Sequence, residues 1–220
     1  MGTAAHAFAV AILASALLCG SQPAKADQTE DSAKYESDPV LGGEKKVVKG
    51  FRLTPKWDRV RKLILDGSEE KSSALAAWID WAKSLQPKSA TDRLLAINKR
   101  VNSEFRYDTD PDIWDEDDYW AEPKEAYGKR RLDCEDYAIF KFFLARAAGI
   151  EDESLSIAVG KLRSTGEFHA IMLGADGEAI YVLDNRSNYM RDTDTYDDFS
   201  VMYSVGLTEV WYYPRAYKNN

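Results

Sequence analysis

Residues 133–149 read DCEDYAIFKFFLARAAG, and this stretch predicts the central element of the fold. From Cys134 to Ala148 it has no glycine or proline, and its side chains are apolar nearly all round. That pattern is typical of a helix buried on every side, and Gly149 marks its end. Asp133 stands at the N-cap position, and the acidic residues that follow suit the positive end of the helix dipole. The sequence therefore places Cys134 at a helix N-terminus.

The elements on either side of this helix follow from the spacing of apolar residues. Amphipathic helices are predicted over residues 57–65, 73–85 and 91–105. Strands are predicted over residues 155–159, 167–173, 179–184 and 210–213, with a hairpin turn at 174–177. Helices followed by strands in this order predict an α+β fold in which the central helix packs on an antiparallel sheet. Residues 107–127 are acidic, aromatic and broken by two prolines, which predicts a long loop.

The first 26 residues have the features of a secretory signal peptide. Residues 7–18 are almost wholly apolar, a run too short to span a bilayer, and Ala24 and Ala26 form a small-x-small cleavage site. Cleavage there predicts an exported protein with no membrane insertion after removal of the signal. Cys19 leaves a lipid anchor open as a second interpretation, although Leu18 occupies the position that usually holds a small residue.

Three segments are therefore expected: a signal peptide at residues 1–26, a flexible leader at 27–50 and one folded domain at 51–220. Removing the signal peptide takes away Lys25 and no acidic residue, which changes the formal net charge from -8 to -9. Nucleic acids and anionic membranes require basic surfaces, so this charge argues against both as partners. It is compatible with binding of a cation.

Cys134 and His169 are the cysteine and the histidine that remain after residue 26. With one cysteine no disulfide forms within the chain, and a lone thiol in an oxidising compartment is either buried or used chemically. The thiolate is a nucleophile, and both a helix N-terminus and a nearby imidazolium favour it. The pair therefore indicates nucleophilic catalysis. A buried structural cysteine and a core histidine are the alternatives.

Asp184 suits the third position of a catalytic triad. If the two glycines of 174–177 pair with each other, His169 faces Val182 across the hairpin. Side chains alternate along a strand, so Asp184 would project on the same face as His169, one diagonal step away. Its carboxylate would accept a hydrogen bond from one ring nitrogen and direct the other toward Cys134.

The segment around Cys134 resembles a known enzyme family. Residues 133–139 read DCEDYAI, and upstream of them lie Trp114, DYW at 118–120, Pro123 and Glu125. With the later histidine and aspartate, this pattern resembles the bacterial transglutaminase-like cysteine proteinases, and within them the LapG-type periplasmic adhesin proteases. The resemblance covers about residues 55–213. Leu132 departs from it, because glycine commonly precedes the DCED block in the family.

The resemblance implies a papain-like core, a triad of Cys134, His169 and Asp184, and dependence on calcium. The implied calcium ligands are Asp133, Glu135 and Asp136. Calcium takes six to eight oxygen ligands, and these residues and the acidic segment upstream offer many carboxylates. Capping of the central helix and compensation of its dipole are the alternative role of the acidic residues.

The resemblance further implies a periplasmic endopeptidase that cleaves a large surface adhesin and so controls biofilm attachment. Such enzymes are held inactive by an inner-membrane receptor that responds to cyclic-di-GMP. The same triad also supports acyl transfer, because an amine can resolve a thioester in place of water. A non-catalytic calcium-dependent binding module with a buried Cys134 is the third interpretation.

Overall fold

The computed structural model describes residue 41, residues 46–48, residue 50 and residues 54–214. The predicted signal peptide and the predicted leader up to residue 40 lie outside these described residues. Strand β1, Lys46–Val48, falls inside the predicted leader and pairs with the sheet of the domain. Within the described ranges, no helix is long and apolar enough to cross a membrane.

The predicted amphipathic helices and the central helix are present. The α-helices of the described residues are α1 (Pro55–Leu65), α2 (Ala76–Ser84), α3 (Ala90–Glu104), α4 (Asp110–Trp114), α5 (Pro123–Lys129) and α6 (Cys134–Ala147). The prediction of a long loop over residues 107–127 is wrong, because that segment contains α4 and α5. Its two prolines lie in the first turns of these helices, where a missing N–H leaves no helical hydrogen bond unmade.

Strand β1 and the strands after α6 form one antiparallel sheet, which confirms the predicted α+β fold. In spatial order its strands are β1, β9 (Val210–Tyr212), β8 (Phe199–Val205), β4 (Leu155–Leu162), β5 (Phe168–Asp176), β6 (Ala179–Leu183) and β7 (Arg191–Asp192). The strands β2 (Arg106–Tyr107) and β3 (Arg131–Leu132) form a separate parallel pair. Strand β8 was not predicted, although apolar residues at every second position from Phe199 to Val205 carry the signal of a strand.

Helix α6 is buried on every side, as its composition predicts. It lies against β4 and β5 and against the helices α2, α3 and α5. Phe140, Phe142 and Phe143 are each at most 1% exposed, and burying one such side chain contributes about 1.5–3 kcal/mol. Phe142 packs edge-on against Trp57 with ring centroids 5.5 Å apart. This packing holds the N-terminus of α6, and with it Cys134, in one place.

Strands β5 and β6 form the predicted hairpin in a different register. Asp176 pairs with Ala179, so Val182 faces Leu173 and the predicted pairing of Val182 with His169 is wrong. The turn centres on Gly177, whose φ of 63° is the left-handed conformation that such turns need. The displacement along β5 is an even number of residues, so the side chains keep their predicted faces.

Gly160 of β4 lies directly opposite His169 of β5. The register of the pairing between β4 and β8 shifts between Val159 and Gly160. A Cβ atom at position 160 would lie 2.2 Å from the backbone oxygen of Ser200 on β8. Only glycine therefore allows β8 to approach β4 this closely beside the histidine.

Candidate active site

Cys134 is the first residue of α6, and Asp133 is its N-cap, as the sequence predicts. The side chain of Asp133 accepts a hydrogen bond at 3.2 Å from the backbone N–H of Asp136. Cys134 is partly exposed and is the free cysteine of the described residues. The backbone of Ala170 is close enough to the sulfur to act on the pKa of the thiol, which it lowers. The start of α6 thus meets β5 one residue beyond His169.

His169 and Asp184 are brought into direct contact. Nε2 of His169 lies 2.9 Å from Oδ1 of Asp184, and the two residues are 6% and 4% exposed. This contact occupies one ring nitrogen and leaves Nδ1 for another partner. Burial acts to raise the pKa of Asp184, but the hydrogen bond and charge of His169 and further donors hold that pKa well below its ordinary value. Asp184 is therefore a carboxylate at neutral pH.

The surroundings of the Cys134 thiol favour its protonated form. Burial raises the pKa of the thiol well above its ordinary value, and the carboxylates of Glu135 and Asp133 raise it further. The thiol donates a hydrogen bond to Oε2 of Glu135 at 3.1 Å. The helix N-terminus acts in the opposite direction and lowers the pKa of the thiol. A helix end carries only a partial positive charge, whereas two carboxylates flank the sulfur.

The three predicted calcium ligands belong to a larger cluster of carboxylates around the start of α6. Asp133 and Asp136 share one group with Asp110, and Glu135 shares another with Asp110 and Asp118. Within each group, one oxygen of every member lies within 4.8 Å of the others. The two groups meet at Asp110, which the sequence analysis did not single out. Asp110 lies in an acidic segment, and the sequence alone does not distinguish it from the exposed carboxylates beside it.

Burial and mutual repulsion disfavour negative charge in this cluster. Burial, followed by repulsion from Glu135, raises the pKa of Asp110 to about 7 and that of Asp133 to about 12. The same two causes raise the pKa of Asp136, and burial raises that of Glu135. Oδ1 of Asp110 and Oδ2 of Asp136 are buried without a hydrogen-bond partner among the described residues. A cation is the group that would satisfy both oxygens and charges.

The segment between α4 and α5 wraps around the cluster. The backbone N–H of Tyr119 donates to Oδ2 of Asp110 at 2.5 Å, and that of Ala121 donates to Oδ1 of Asp136 at 2.7 Å. The ring of Trp114 packs on the ring of Tyr119 with centroids 4.8 Å apart. The backbone of this segment therefore lies against the buried carboxylates of the cluster.

The sequence of this chain matches the profile of a known protein family. The sequence profile of the bacterial transglutaminase-like cysteine proteinases matches residues 79–213, which is more than half of the chain. The chain belongs to this family. It is accordingly a cysteine peptidase, and its substrate is a protein. No match is found among curated protein sequences.

Solved structures agree with membership of the transglutaminase-like cysteine proteinases. Legionella pneumophila LapG is 26% identical, with a TM-score of 0.57 over 70% of this chain and 86% of that one. An EGTA-treated form of the same protein gives 26% identity and a TM-score of 0.57 over 70% and 84% of the two chains. Its calcium-bound form gives 25% identity and the same TM-score over 70% and 86%.

Leu132 of this proteinase takes the place of the glycine that is common before the DCED block. It is the last residue of β3, is fully buried, and accepts a hydrogen bond from the backbone N–H of Asp108 at 3.0 Å. Its φ is not positive, whereas Arg130, two residues earlier, has a φ of 57°. The backbone at 132 therefore makes no demand that only glycine could meet.

An exposed aromatic side chain lies near the cysteine of this proteinase. Tyr107 is 55% exposed, and its electrostatic neighbours include Cys134, Asp133 and Glu135. This ring offers apolar surface near the thiol.

Proposed function

We propose that this cysteine proteinase is an endopeptidase that uses a triad of Cys134, His169 and Asp184. The observation that carries the proposal is the 2.9 Å contact between Nε2 of His169 and Oδ1 of Asp184 in a buried setting. Nδ1 is then the nitrogen that can exchange a proton with the thiol. The effect of the Ala170 backbone on the pKa of the thiol supports the same assignment, because it places Cys134 beside the strand that carries the histidine.

In the proposed reaction Cys134 gives its proton to His169, and the thiolate attacks the carbon of a peptide carbonyl. An electron pair moves to the carbonyl oxygen, which accepts a hydrogen bond from the backbone N–H of Cys134 at the start of α6. The C–N bond then breaks, and His169 protonates the leaving amine. Water attacks the thioester with His169 as general base, which releases the acid and restores the thiol. Asp184 stabilises the imidazolium in each step.

We also propose that the carboxylate cluster binds calcium through Asp133, Glu135 and Asp136, joined by Asp110 and Asp118. The donor set fits, because calcium prefers carboxylate oxygens and two buried oxygens of the cluster lack partners. A bound calcium ion would supply positive charge beside the thiol, which offsets the repulsion from Asp133 and Glu135. The calcium-bound form of the similar protein LapG supports this assignment.

For the biological role, we propose a protease exported to the periplasm that cleaves a large surface adhesin and controls biofilm attachment. An inner-membrane receptor that responds to cyclic-di-GMP would restrain it. The signal-peptide pattern of residues 1–26 and the similarity to LapG support this proposal. Fractionation of cells that express the full chain should recover it, shortened at its N-terminus, with the periplasmic proteins.

Alkylation of Cys134 by iodoacetamide at neutral pH tests the catalytic proposal. With calcium, we expect rapid modification of the peptide that contains Cys134. In EGTA the modification should slow, because repulsion from the carboxylates then favours the thiol. Cys134→Ala is the negative control, and Cys19→Ser removes the second thiol of the chain.

The outcomes of this experiment separate the three interpretations. A Cys134 that stays unmodified in both conditions contradicts the protease proposal and favours a non-catalytic binding module. Equal rates in calcium and in EGTA contradict the calcium proposal alone. If a primary amine is added to the reaction, a cleaved substrate whose new C-terminus is joined to that amine as an amide indicates acyl transfer. A free carboxylate at the new C-terminus indicates hydrolysis.

A further inference from the structure

The carboxylate of Asp184 accepts more hydrogen bonds than a triad requires. Oδ1 accepts from Nε2 of His169 and from the backbone N–H of Arg186, both at 2.9 Å. Oδ2 accepts from Nε of Arg186 at 2.8 Å and from the hydroxyl of Tyr196 at 2.5 Å. Nη2 of Arg186 also donates to the hydroxyl of Tyr196 at 2.8 Å. Asp184, Arg186 and Tyr196 thus form a closed ring of contacts, with His169 outside it.

Both donors on Oδ2 are themselves anchored beside the histidine. Tyr196 is 8% exposed, and its ring lies 6.1 Å from the ring of Phe199. The ring of Phe199 lies 6.5 Å from the imidazole of His169. Nη1 of Arg186 lies 3.5 Å from a carboxylate oxygen of Asp198. The start of β8 therefore holds the donors and the histidine in one arrangement.

An aspartate carboxylate needs such anchors if its plane must stay directed at one nitrogen. Its terminal torsion is broad, so burial alone does not fix the orientation of the carboxylate plane. Turning the plane away from this orientation would leave the buried hydroxyl of Tyr196 without its acceptor, which is unfavourable. The backbone carbonyl of Asp184 is held separately by Nδ2 of Asn102 at 2.9 Å. Main chain and side chain of the aspartate are therefore anchored independently.

We propose that Tyr196 and Arg186 are positioning residues that hold the plane of the Asp184 carboxylate so that one of its oxygens stays on Nε2 of His169. This inference rests on the triad proposed above and extends it by two residues that act only through Asp184. The charge of the site agrees with it. Burial acts to raise the pKa of Asp184, and His169, Arg186 and Tyr196 together hold that pKa well below its ordinary value.

The tautomer of the His169 ring depends on the position of the Asp184 carboxylate and can be measured without an activity assay. The full chain carrying His6→Gln and Cys134→Ala has His169 as its one histidine, and no thiol shares its proton. In ¹⁵N-histidine NMR spectra of the neutral ring, we expect the tautomer protonated at Nε2 to dominate. Tyr196→Phe and Arg186→Gln should each produce a mixture of tautomers. Tyr189→Phe is the matched control, since Tyr189 is 77% exposed, and should leave the spectrum unchanged.

In the chain that keeps Cys134, the same two variants should slow alkylation by iodoacetamide in calcium about tenfold, which corresponds to about 1.4 kcal/mol. Arg186→Lys should restore only part of the rate, because lysine keeps the charge but not the two-pronged donor geometry. An unchanged His169 tautomer in both folded variants overturns the proposal, whatever the alkylation rate. Circular dichroism establishes folding.

If Tyr196→Phe does not fold, Arg186→Gln decides the question, because the Arg186 side chain is 38% exposed and its loss leaves the core intact. A parent protein whose Cys134 is inert in calcium refutes the proposed peptidase mechanism. The tautomer measurement remains valid in that case. Failure of the positioning role and failure of the proposed function are therefore distinguishable.

Discussion

Lys141 lies on α6 two turns after Cys134, and its side chain is fully buried. Nζ donates to the backbone carbonyl of Leu183 at 3.4 Å and lies 5.6 Å from the centroid of the Tyr137 ring. Burial lowers the pKa of Lys141 from 10.5 to about 7, partly opposed by the charge of Asp184. Folding therefore releases a proton from Lys141 over a wide range of pH, and replacing Lys141 by methionine should change how stability depends on pH.

The sign and size of the effect follow from this lowered pKa. Between about pH 7 and 10.5 the unfolded chain holds a proton at Lys141 that the folded protein lacks, so the free energy of unfolding rises with pH. At 1.36 kcal/mol per pKa unit, the burial costs about 5 kcal/mol at pH 6.5 and about 1.5 kcal/mol at pH 9.5. Lys141→Met removes this cost together with a hydrogen bond worth about 1 kcal/mol. We expect it to stabilise the protein by about 4 kcal/mol at pH 6.5 and by less than about 1 kcal/mol at pH 9.5.

Urea unfolding followed by circular dichroism at the two pH values measures this difference. Lys83→Met, at an exposed position of α2, is the matched control and should change the free energy of unfolding by less than about 0.5 kcal/mol at either pH. A gain for Lys141→Met of equal size at pH 6.5 and pH 9.5 would refute the reasoning. Such a gain would come from packing and not from a proton released on folding.

Two further predictions concern the strand beside His169 and the carboxylate cluster. Gly160→Ala should destabilise the protein by about 1–3 kcal/mol, because the added Cβ would overlap the backbone of β8. The control Gly128→Ala adds its Cβ in open space on α5 and should stabilise the protein by about 0.5–1 kcal/mol. Thermal unfolding measures both variants, and equal effects would contradict the close approach of β8 to Gly160. Calcium at about 100 times its Kd should stabilise the protein by about 2.7 kcal/mol. Asp136→Asn should abolish this shift in melting temperature and the exposed control Asp117→Asn should not, and an unshifted parent protein would contradict the calcium site.

Local signals along the chain were sufficient for the helices and for the position of the cysteine. Helix α6, its N-cap Asp133 and the glycine after it are features of neighbouring residues, and they place Cys134 at the start of the helix. Two prolines in residues 107–127 suggested a loop, yet each stands in a first helical turn. Proline is compatible with both settings, so only the surrounding packing distinguishes them.

The hairpin shows why a face is easier to predict than a partner. Alternation along β5 and β6 put His169 and Asp184 on one face, and the structure brings them to 2.9 Å. The predicted partner of Val182 was wrong because the turn centres on Gly177. An error of an even number of residues leaves faces unchanged, and an odd one would have separated the two side chains.

The three residues of the proposed triad, and the helix that carries the cysteine, are identifiable from short stretches of sequence. Tertiary structure decided what surrounds them. Asp110 joins the cluster at Glu135, Tyr196 and Arg186 hold Asp184, and burial raises the pKa of Cys134 against the helix dipole. Burial and electrostatic repulsion depend on distances between atoms far apart in the chain, and those distances exist only once the sheet and α6 have packed together.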